Sequence, residues 1–476
     1  MKSIVRSMGA AVTGLFSREL RLPSFDRLMA FISILGLAGL GFILGAAVMH
    51  YRLPTSTYIE KAFLGAEAWS RQKTDPSQTA PAAPAQSSIL IDKPDKTDDG
   101  FTLYTTSSGP WAALIDMRGQ TVHRWQMPFS QAFSEWQKEN PLIDKQVSWF
   151  GCHLFPNGDL LAVYHVDSQI PLGSAADNHD KVLNAHSLTG YGLIKLDKDS
   201  QLLWAYADHV HHAFDVAQDG TIYALTQEQS SRTPANMAFV RVPHLADSLV
   251  ILSAQGKQLD SIRIMEALRD SPYASNQRLM ICQNSAPEAD YTHANSVMVL
   301  PKALAGRFPM FQEGQVLISL RNMNTLAVLD VSKRSVAWAA QGVWRRQHAA
   351  QFLDNGHLLL FDNEGDNGPA RVLEYNPANQ ALPWTYTSED SRPFWASARG
   401  DTQRLPNGNT LIVNPGKCRM FEVSPAREVV WEAECLEFTG QAQEEKPFPF
   451  TPSINLARRY RAEGLTFLQG GPRARP

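Results

Sequence analysis

The chain has 476 residues, 44% hydrophobic and 19% charged, with 30 Gly and 29 Pro, which is enough apolar material for a large core joined by many turns. A formal net charge of −3 excludes the basic field that nucleic-acid binding requires, so no DNA or RNA partner is expected.

Leu28 to Met49 is an uncharged run of 22 residues, long enough to cross a bilayer as a helix. Lys2, Arg6, Arg18, Arg21 and Arg27 precede it against Glu19 and Asp26 alone. This bias predicts a cytoplasmic N-terminus, with everything after Met49 outside the inner membrane, on the periplasmic side. Its length favours a retained single-pass anchor over a cleaved signal peptide, for which Gly45-Ala46-Ala47 offers a site. Residues 50–88 read as a linker, Pro/Ala/Ser-rich from Thr74 to Ser88. Cys152, Cys282, Cys418 and Cys435 all fall on the exported side. Cys418 and Cys435 flank a turn and either face each other across a hairpin or stay buried as thiols. No CxxC pair suggests structural zinc.

Two phrases then recur. In the first, a turn containing Gly precedes a short apolar strand: Phe155-Pro156-Asn157-Gly158, Ala217-Gln218-Asp219-Gly220, Leu353-Asp354-Asn355-Gly356 and Leu405-Pro406-Asn407-Gly408. Leu300-Pro301 opens a further copy, interrupted by an insertion over Lys302 to Gly314. Asn-Gly and Asp-Gly between apolar runs signal hairpins. In the second phrase, an apolar strand and a polar turn lead to a strand carrying an aromatic, which gives Trp125, Trp204, Trp338, Trp384 and Trp431 one repeat position; Ser248 to Ile264 fits without its Trp. Six second phrases, with no helical segments between strands, predict an all-β, six-bladed propeller over 89–450, after a cytoplasmic segment 1–27 and anchor 28–49 and before a tail at 451–476.

In a propeller the first strand of each blade lines the axis. Counting eight residues back from each turn Gly gives Phe150, His212, His348 and Gly400, and the interrupted copy gives Asn295, with His293 two residues earlier on the same face. Seven residues past the turn, the returning strand brings His165, Gln227, Arg321 and Asn363 to the same mouth. His212, His293, Asn295, Arg321 and His348 are therefore expected to converge. Three imidazoles, an amide and a guanidinium suit a tetrahedral oxyanion; an Arg among them would repel a metal cation, so no metal is expected. His153 and His186 read as structural, and Asp362 to Gly368 as a polar loop without calcium-binding spacing. No GxSxG, phosphate-binding loop or dinucleotide fingerprint occurs.

The strings Thr292-His293-Ala294-Asn295, Ser319-Leu320-Arg321, Arg346-Gln347-His348-Ala349 and Gln403-Arg404-Leu405-Pro406-Asn407-Gly408 resemble the bacterial arylsulfotransferases, and the likeness runs from about Phe101 to Glu432. The resemblance implies ping-pong transfer of a sulfuryl group between aryl sulfates and phenols, with no nucleotide donor or other cofactor. It makes His348 of the QH motif the nucleophile that forms a sulfohistidine. His293, Arg321 and His212 are then further catalytic residues, with Asn295, Arg321, His165 and Asn363 as substrate-binding residues. The mouth loops around Gly173 to Asn184 and Ser230 to Pro243 look individual, as does the anchor. The competing readings are a non-catalytic envelope propeller serving as a scaffold and a propeller enzyme of the quinone-dependent or lyase type.

Overall fold

The computed structural model describes residues 88–135, 147–166, 190–283, 289–365, 369–387, 399–415, 418–434 and 453–470, with Gly36, Asp144, Leu188 and Ala396 as single positions. The chain divides into two compact units, Met1–Ala83 and Pro84–Pro476, and every strand named below belongs to the second. Among the described residues no helix is long and apolar enough to cross a membrane; Leu28 to Met49 lies, but for Gly36, outside them.

The turn glycines adopt the backbone their sequence demands. Gly158, Gly220, Gly356 and Gly408 all have φ between +83° and +89°, a region open to Gly and costly for other residues. Each closes the hairpin between the first two strands of a four-stranded antiparallel blade. Blade 2 holds Val147–Leu154, Leu160–Val166, Gly190–Leu196 and Leu202–Tyr206. Blade 3 holds Val210–Val216, Ile222–Ser230, His244–Leu252 and Gln258–Arg263. Blade 4 runs from Ala294–Val299 to Ser335–Gln341, blade 5 from His348–Phe352 to Trp384–Tyr386, and blade 6 from Asp401–Arg404 to Val429–Glu434. The first strand of each blade touches those of both neighbours, which closes a ring of six about one axis.

Blade 1 departs from the expected boundaries. Its chain-order strands are Phe101–Thr106, Trp111–Ile115 and Thr121–Gln126, and its axial strand is Ile454–Tyr460, which pairs antiparallel with Phe101–Thr106. The stretch read as a tail thus supplies the strand that closes the ring. The domain opens in mid-blade, so its missing axial strand has to come from the other end of the chain. Ser88–Asp92 pairs with Val429–Glu434 as a fifth strand on the outside of blade 6.

The recurring tryptophans join successive blades. Each lies on the fourth strand out from the axis of its blade and, at four joints, its indole N–H donates to a turn carbonyl of the next: Trp125 to Gly158 (3.0 Å), Trp204 to Ala254 (3.2 Å), Trp384 to Pro425 (3.0 Å) and Trp431 to Met117 (3.0 Å). Trp338 packs edge-on to Phe311 (5.4 Å), a residue of the 302–314 insertion, whose Phe308 and Phe311 fill the space beside Phe352. Blade 3 lacks the Trp; there Arg334 of blade 4 grips Asp260 at 2.9 and 2.7 Å. Between blades the faces meet as apolar layers, such as Leu225, Leu249 and Ile262 against Val297, Val316 and Ile318, each aliphatic contributing about 1.5–3 kcal/mol by burial. Cys152 and Cys418 are buried, while Cys435 and the side chain of Cys282 lie outside the described residues.

Candidate active site

A cavity of about 260 Å³ follows the axis and is walled by all six axial strands, including Phe150, His212, Asn295, His348, Gly400 and Asn455. At its mouth the axial strands are not regular. Pairing slips between Trp149 and Cys152, between Ala294 and Ser296 and between His348 and Gln351, and in blade 3 where Val210–Val216 meets Ala224 and Thr226. His212 (φ 54°), His293 (φ 46°), Ala349 (φ 51°) and Arg399 (φ 66°) take left-handed backbone there. Such bulges turn side chains out of the alternating pattern, and non-glycine residues held left-handed cluster at functional sites. A side chain on Gly190 would collide with the Val210 carbonyl, so this glycine lets blade 2 close onto the strand that presents His211 and His212.

Of the residues expected to converge, His212, Asn295 and His348 line the cavity, and His293 and Arg321 are not among its lining residues. The His212 ring lies 4.9 Å from that of His293, edge to face, and 6.2 Å from that of His165. His348 and Asn295 line the same cavity. Arg321 opens a short 3-10 turn, its backbone N–H bonded to the His293 carbonyl at 3.1 Å, and its charge reaches His348. His165 sits behind Phe150, with rings 4.7 Å apart, outside the cavity wall.

The three short motifs bind one another. Gln347, fully buried, donates from its amide to Ser319 Oγ (3.0 Å) and to the carbonyls of Leu320 and Thr325 (3.3 and 3.0 Å). Its own carbonyl accepts from Asn295 Nδ2 at 2.8 Å and Ser319 Oγ at 3.1 Å. Asn295 therefore braces the turn that carries His348, and leaves its buried Oδ1 without a protein partner.

Asn363 is likewise not in the cavity wall but behind His348. Its Nδ2 donates both hydrogens, to the carbonyls of Ala396 (2.7 Å) and Arg399 (2.6 Å), which fixes Oδ1 as the atom facing His348 Nδ1 at 2.6 Å. Arg346 O lies 3.0 Å from the same nitrogen. Two acceptors on Nδ1 put the ring proton there and leave the Nε2 lone pair uncommitted. Burial, then the Arg321 charge and His293, push the His348 pKa down to about 3, against the pull of Asn363 and Arg346, so the imidazole is neutral at physiological pH. Burial, followed by His293, His211, His165 and His348, holds His212 well below the usual histidine range.

Several participants carry no local sequence signal. His293 Nδ1 lies 2.5 Å from Asp290 Oδ2, and Asp290 arrives on an excursion between blades 3 and 4 that includes helices Ile264–Arg269 and Ala274–Gln283. Arg399 packs over Phe150 (5.5 Å) and donates to Ser453 Oγ and Asn455 Oδ1 at 3.0 and 3.1 Å. Asp247 bonds Thr292 Oγ1 and the Ala294 N–H across the blade 3–4 joint at 2.6 and 2.8 Å. Only Asp290, three residues before His293, was within reach of a sequence pattern. Asp362, in the loop read as polar, turns inward to Arg371 at 2.8 Å; 366–368 lie outside the description, as does His186. His153, read as structural, lies deeper in the cavity wall, and burial, then Arg458 and Lys195, lower its pKa to about 4.

A family model described as Arylsulfotransferase (ASST) matches residues 174–435, more than half of the chain. The chain belongs to the arylsulfotransferase family. It is an enzyme of the arylsulfotransferase type, acting on aryl sulfates and phenols. The matched span includes His212, His293, Arg321 and His348. A search of curated proteins finds no match. Among solved structures, a protein of unknown function from Bacteroides caccae is 12% identical, with 70% of this chain and 93% of that one covered and a TM-score of 0.43. A streptogramin B lyase is 10% identical (75% and 85% covered, TM-score 0.39), and a virginiamycin B lyase from Staphylococcus aureus 7% (61% and 71%, TM-score 0.35). Likeness this distant carries no argument about the arylsulfotransferase.

Proposed function

We propose that this arylsulfotransferase works by ping-pong transfer through a sulfohistidine on His348. The observation that carries the reading is the Asn363 Oδ1 contact at 2.6 Å, which keeps the proton on Nδ1 of a neutral imidazole. Nε2 attacks the sulfur of an aryl sulfate in line, and the S–O(aryl) bond breaks with its electron pair going to the phenoxide oxygen. The product is an N-sulfonated imidazolium whose Nδ1–H still faces the Asn363 and Arg346 oxygens. That positive charge makes His348 a good leaving group when the acceptor phenol attacks. Arg321 and His293 hold the equatorial oxygens, as fixed donors do for other transferring oxyanions, and His212 faces the aryl oxygen that leaves or attacks. Asn295 and Asn363 serve the site by positioning, and His165 backs the aromatic wall at Phe150.

The test is intact mass after brief exposure to 4-nitrophenyl sulfate alone. A sulfuryl adduct is expected on the wild type and not on His348→Ala, with transfer falling by about 10³-fold or more in the variant. An adduct that persists in His348→Ala removes it as the nucleophile. We further propose that Leu28 to Met49 anchors the enzyme with its propeller on the periplasmic side, on the length of the apolar run and the arginines before it. An export-dependent reporter fused after residue 90 should be active, and a cytoplasm-dependent one silent.

A further inference from the structure

Behind the cavity wall His212 is joined to a second histidine and a buried carboxylate that the sulfuryl-transfer step does not use. His212 Nδ1 lies 2.7 Å from His211 Nδ1, and His211 Nε2 lies 3.3 Å from Asp247 Oδ1, a separation long for a hydrogen bond but close for charge. His211 and Asp247 are each 1% exposed. Asp247 also accepts from Gln227 Nε2 (3.1 Å), Thr292 Oγ1 (2.6 Å) and the Ala294 N–H (2.8 Å).

A distance of 2.7 Å between two ring nitrogens requires one proton between them. A carboxylate against His211 Nε2 keeps the other His211 proton on Nε2. Two arrangements remain. With His211 neutral, His212 donates from Nδ1 and offers a lone pair at Nε2. With His211 cationic, His211 donates and the His212 proton sits on Nε2, facing the cavity that His212 lines.

We propose that Asp247, His211 and His212 form a proton relay that serves the phenol oxygen, with His212 as the group that touches substrate and His211 and Asp247 as positioning residues behind it. The proposal rests on the ping-pong reading above. As the phenol oxygen attacks sulfur, its proton passes to His212 Nε2 while the His212 Nδ1 proton passes to His211 Nδ1. The S–Nε2 bond to His348 breaks and its electron pair returns to that nitrogen. In the next donor half-reaction the two protons retrace their path, and the departing phenoxide is protonated.

The relay answers a difficulty specific to this mouth. His293, His165, His348 and His211 surround His212, Arg321 lies beyond His348, and among the described carboxylates Asp290 is taken by His293 at 2.5 Å, Asp401 of the cavity wall by Arg458 and Asp215 by the Val299 N–H at 2.8 Å. A cation on His212 would be unpaired and buried, which is strongly disfavoured. The relay moves that charge onto His211, beside Asp247. Burial drives the Asp247 pKa up, but His211, the Ala294 N–H and Thr292 outweigh it and hold it below its ordinary value, so the carboxylate stays ionised.

The test varies acceptor acidity in steady-state turnover, with 4-methylumbelliferyl sulfate as donor. Phenol, with a pKa of about 10, needs a base; 4-nitrophenol, largely ionised at about pH 8, does not. His211→Gln should lower transfer to phenol about 10²-fold and transfer to 4-nitrophenol by less than about fivefold. Equal losses on both acceptors, the mark of a merely structural role, overturn the relay. Should His211→Gln fail to fold, a proton inventory on the wild type decides: a curved dependence on D₂O fraction with phenol is expected, and a linear one refutes two-proton transfer. An active wild type that shows no His348 adduct overturns the ping-pong reading alone, since the acceptor series is read in turnover.

Discussion

Asn363 is the sharpest place to test how His348 is held. Replacing it with Ala deletes three short hydrogen bonds, at 2.6, 2.7 and 2.6 Å, in a residue 3% exposed. The carbonyls of Ala396 and Arg399 lose their donor, and at about 1–1.5 kcal/mol each the fold should lose about 2–3 kcal/mol. His348 Nδ1 keeps Arg346 O at 3.0 Å, so the correct tautomer loses one of two acceptors, and sulfation should slow about tenfold. Asn363→Asp should be worse, although it is the closer isostere. Its second oxygen would face two carbonyls, and its charge would pull His348 toward the imidazolium, which has no lone pair for sulfur. A loss of about 10²-fold at neutral pH is expected, partly recovered as rising pH removes the Nε2 proton. Adduct formation followed by rapid quench and intact mass gives the rates, and urea unfolding the stabilities. An Asn363→Asp variant that sulfates as fast as the wild type would refute the assigned amide orientation.

Four further outcomes follow from the geometry described above. Because His348 stays neutral down to about 3, the donor half-reaction should keep its rate as pH falls through 6.5; Arg321→Gln removes one cause of that depression and should shift the acid limb upward in a pH–rate profile. Arg321→Lys should also slow transfer, since a point charge cannot reproduce a guanidinium's paired donors, and kcat measured on the same aryl sulfates checks it. His165, His212 and His348 all have lowered pKa values, so as pH falls below about 6.5 the unfolded chain binds more protons than the folded one. Stability should fall as pH drops below about 6.5, by up to ~1.4 kcal/mol per pH unit per histidine, and urea midpoints taken along that range should show it. Trp431→Phe should cost about 1–2 kcal/mol, because the Met117 carbonyl at the joint of blades 6 and 1 loses its 3.0 Å donor; the same urea titration at neutral pH is the check.

Much of this architecture was legible because its signals are local and repeated. A turn Gly, an apolar strand and a Trp recur at fixed spacing, and the spacing alone brought His212, His348 and Asn295 to one mouth. What was illegible is what forms between blades. Asp247 reaches Thr292 and Ala294 only after two sheets pack, and no residue near it in sequence announces that. The bulges hide for a similar reason: counting assumes strict alternation, whereas His212 and Ala349 break it with left-handed backbone. Asn363 was counted to this mouth as a substrate-binding residue, whereas it stands against His348 and off the cavity wall, because register fixes depth along the axis and not which layer a side chain occupies. Ile454–Tyr460 escaped notice because the strand it pairs with lies at the other end of the domain.

That last strand has a consequence for how the enzyme comes into being. Asn455, Leu456, Arg458 and Tyr460 form part of the cavity wall, and Asn455 also steadies Arg399 and donates to the Trp149 carbonyl at 3.0 Å. His212, His293 and His348 are all synthesised well before them. A nascent chain therefore holds all three histidines from residue 348 onward, but has no closed chamber around them until Ile454–Tyr460 is made. The chamber is complete only when the final strand docks, so a chain clipped before Ile454 is expected to be silent rather than partly active.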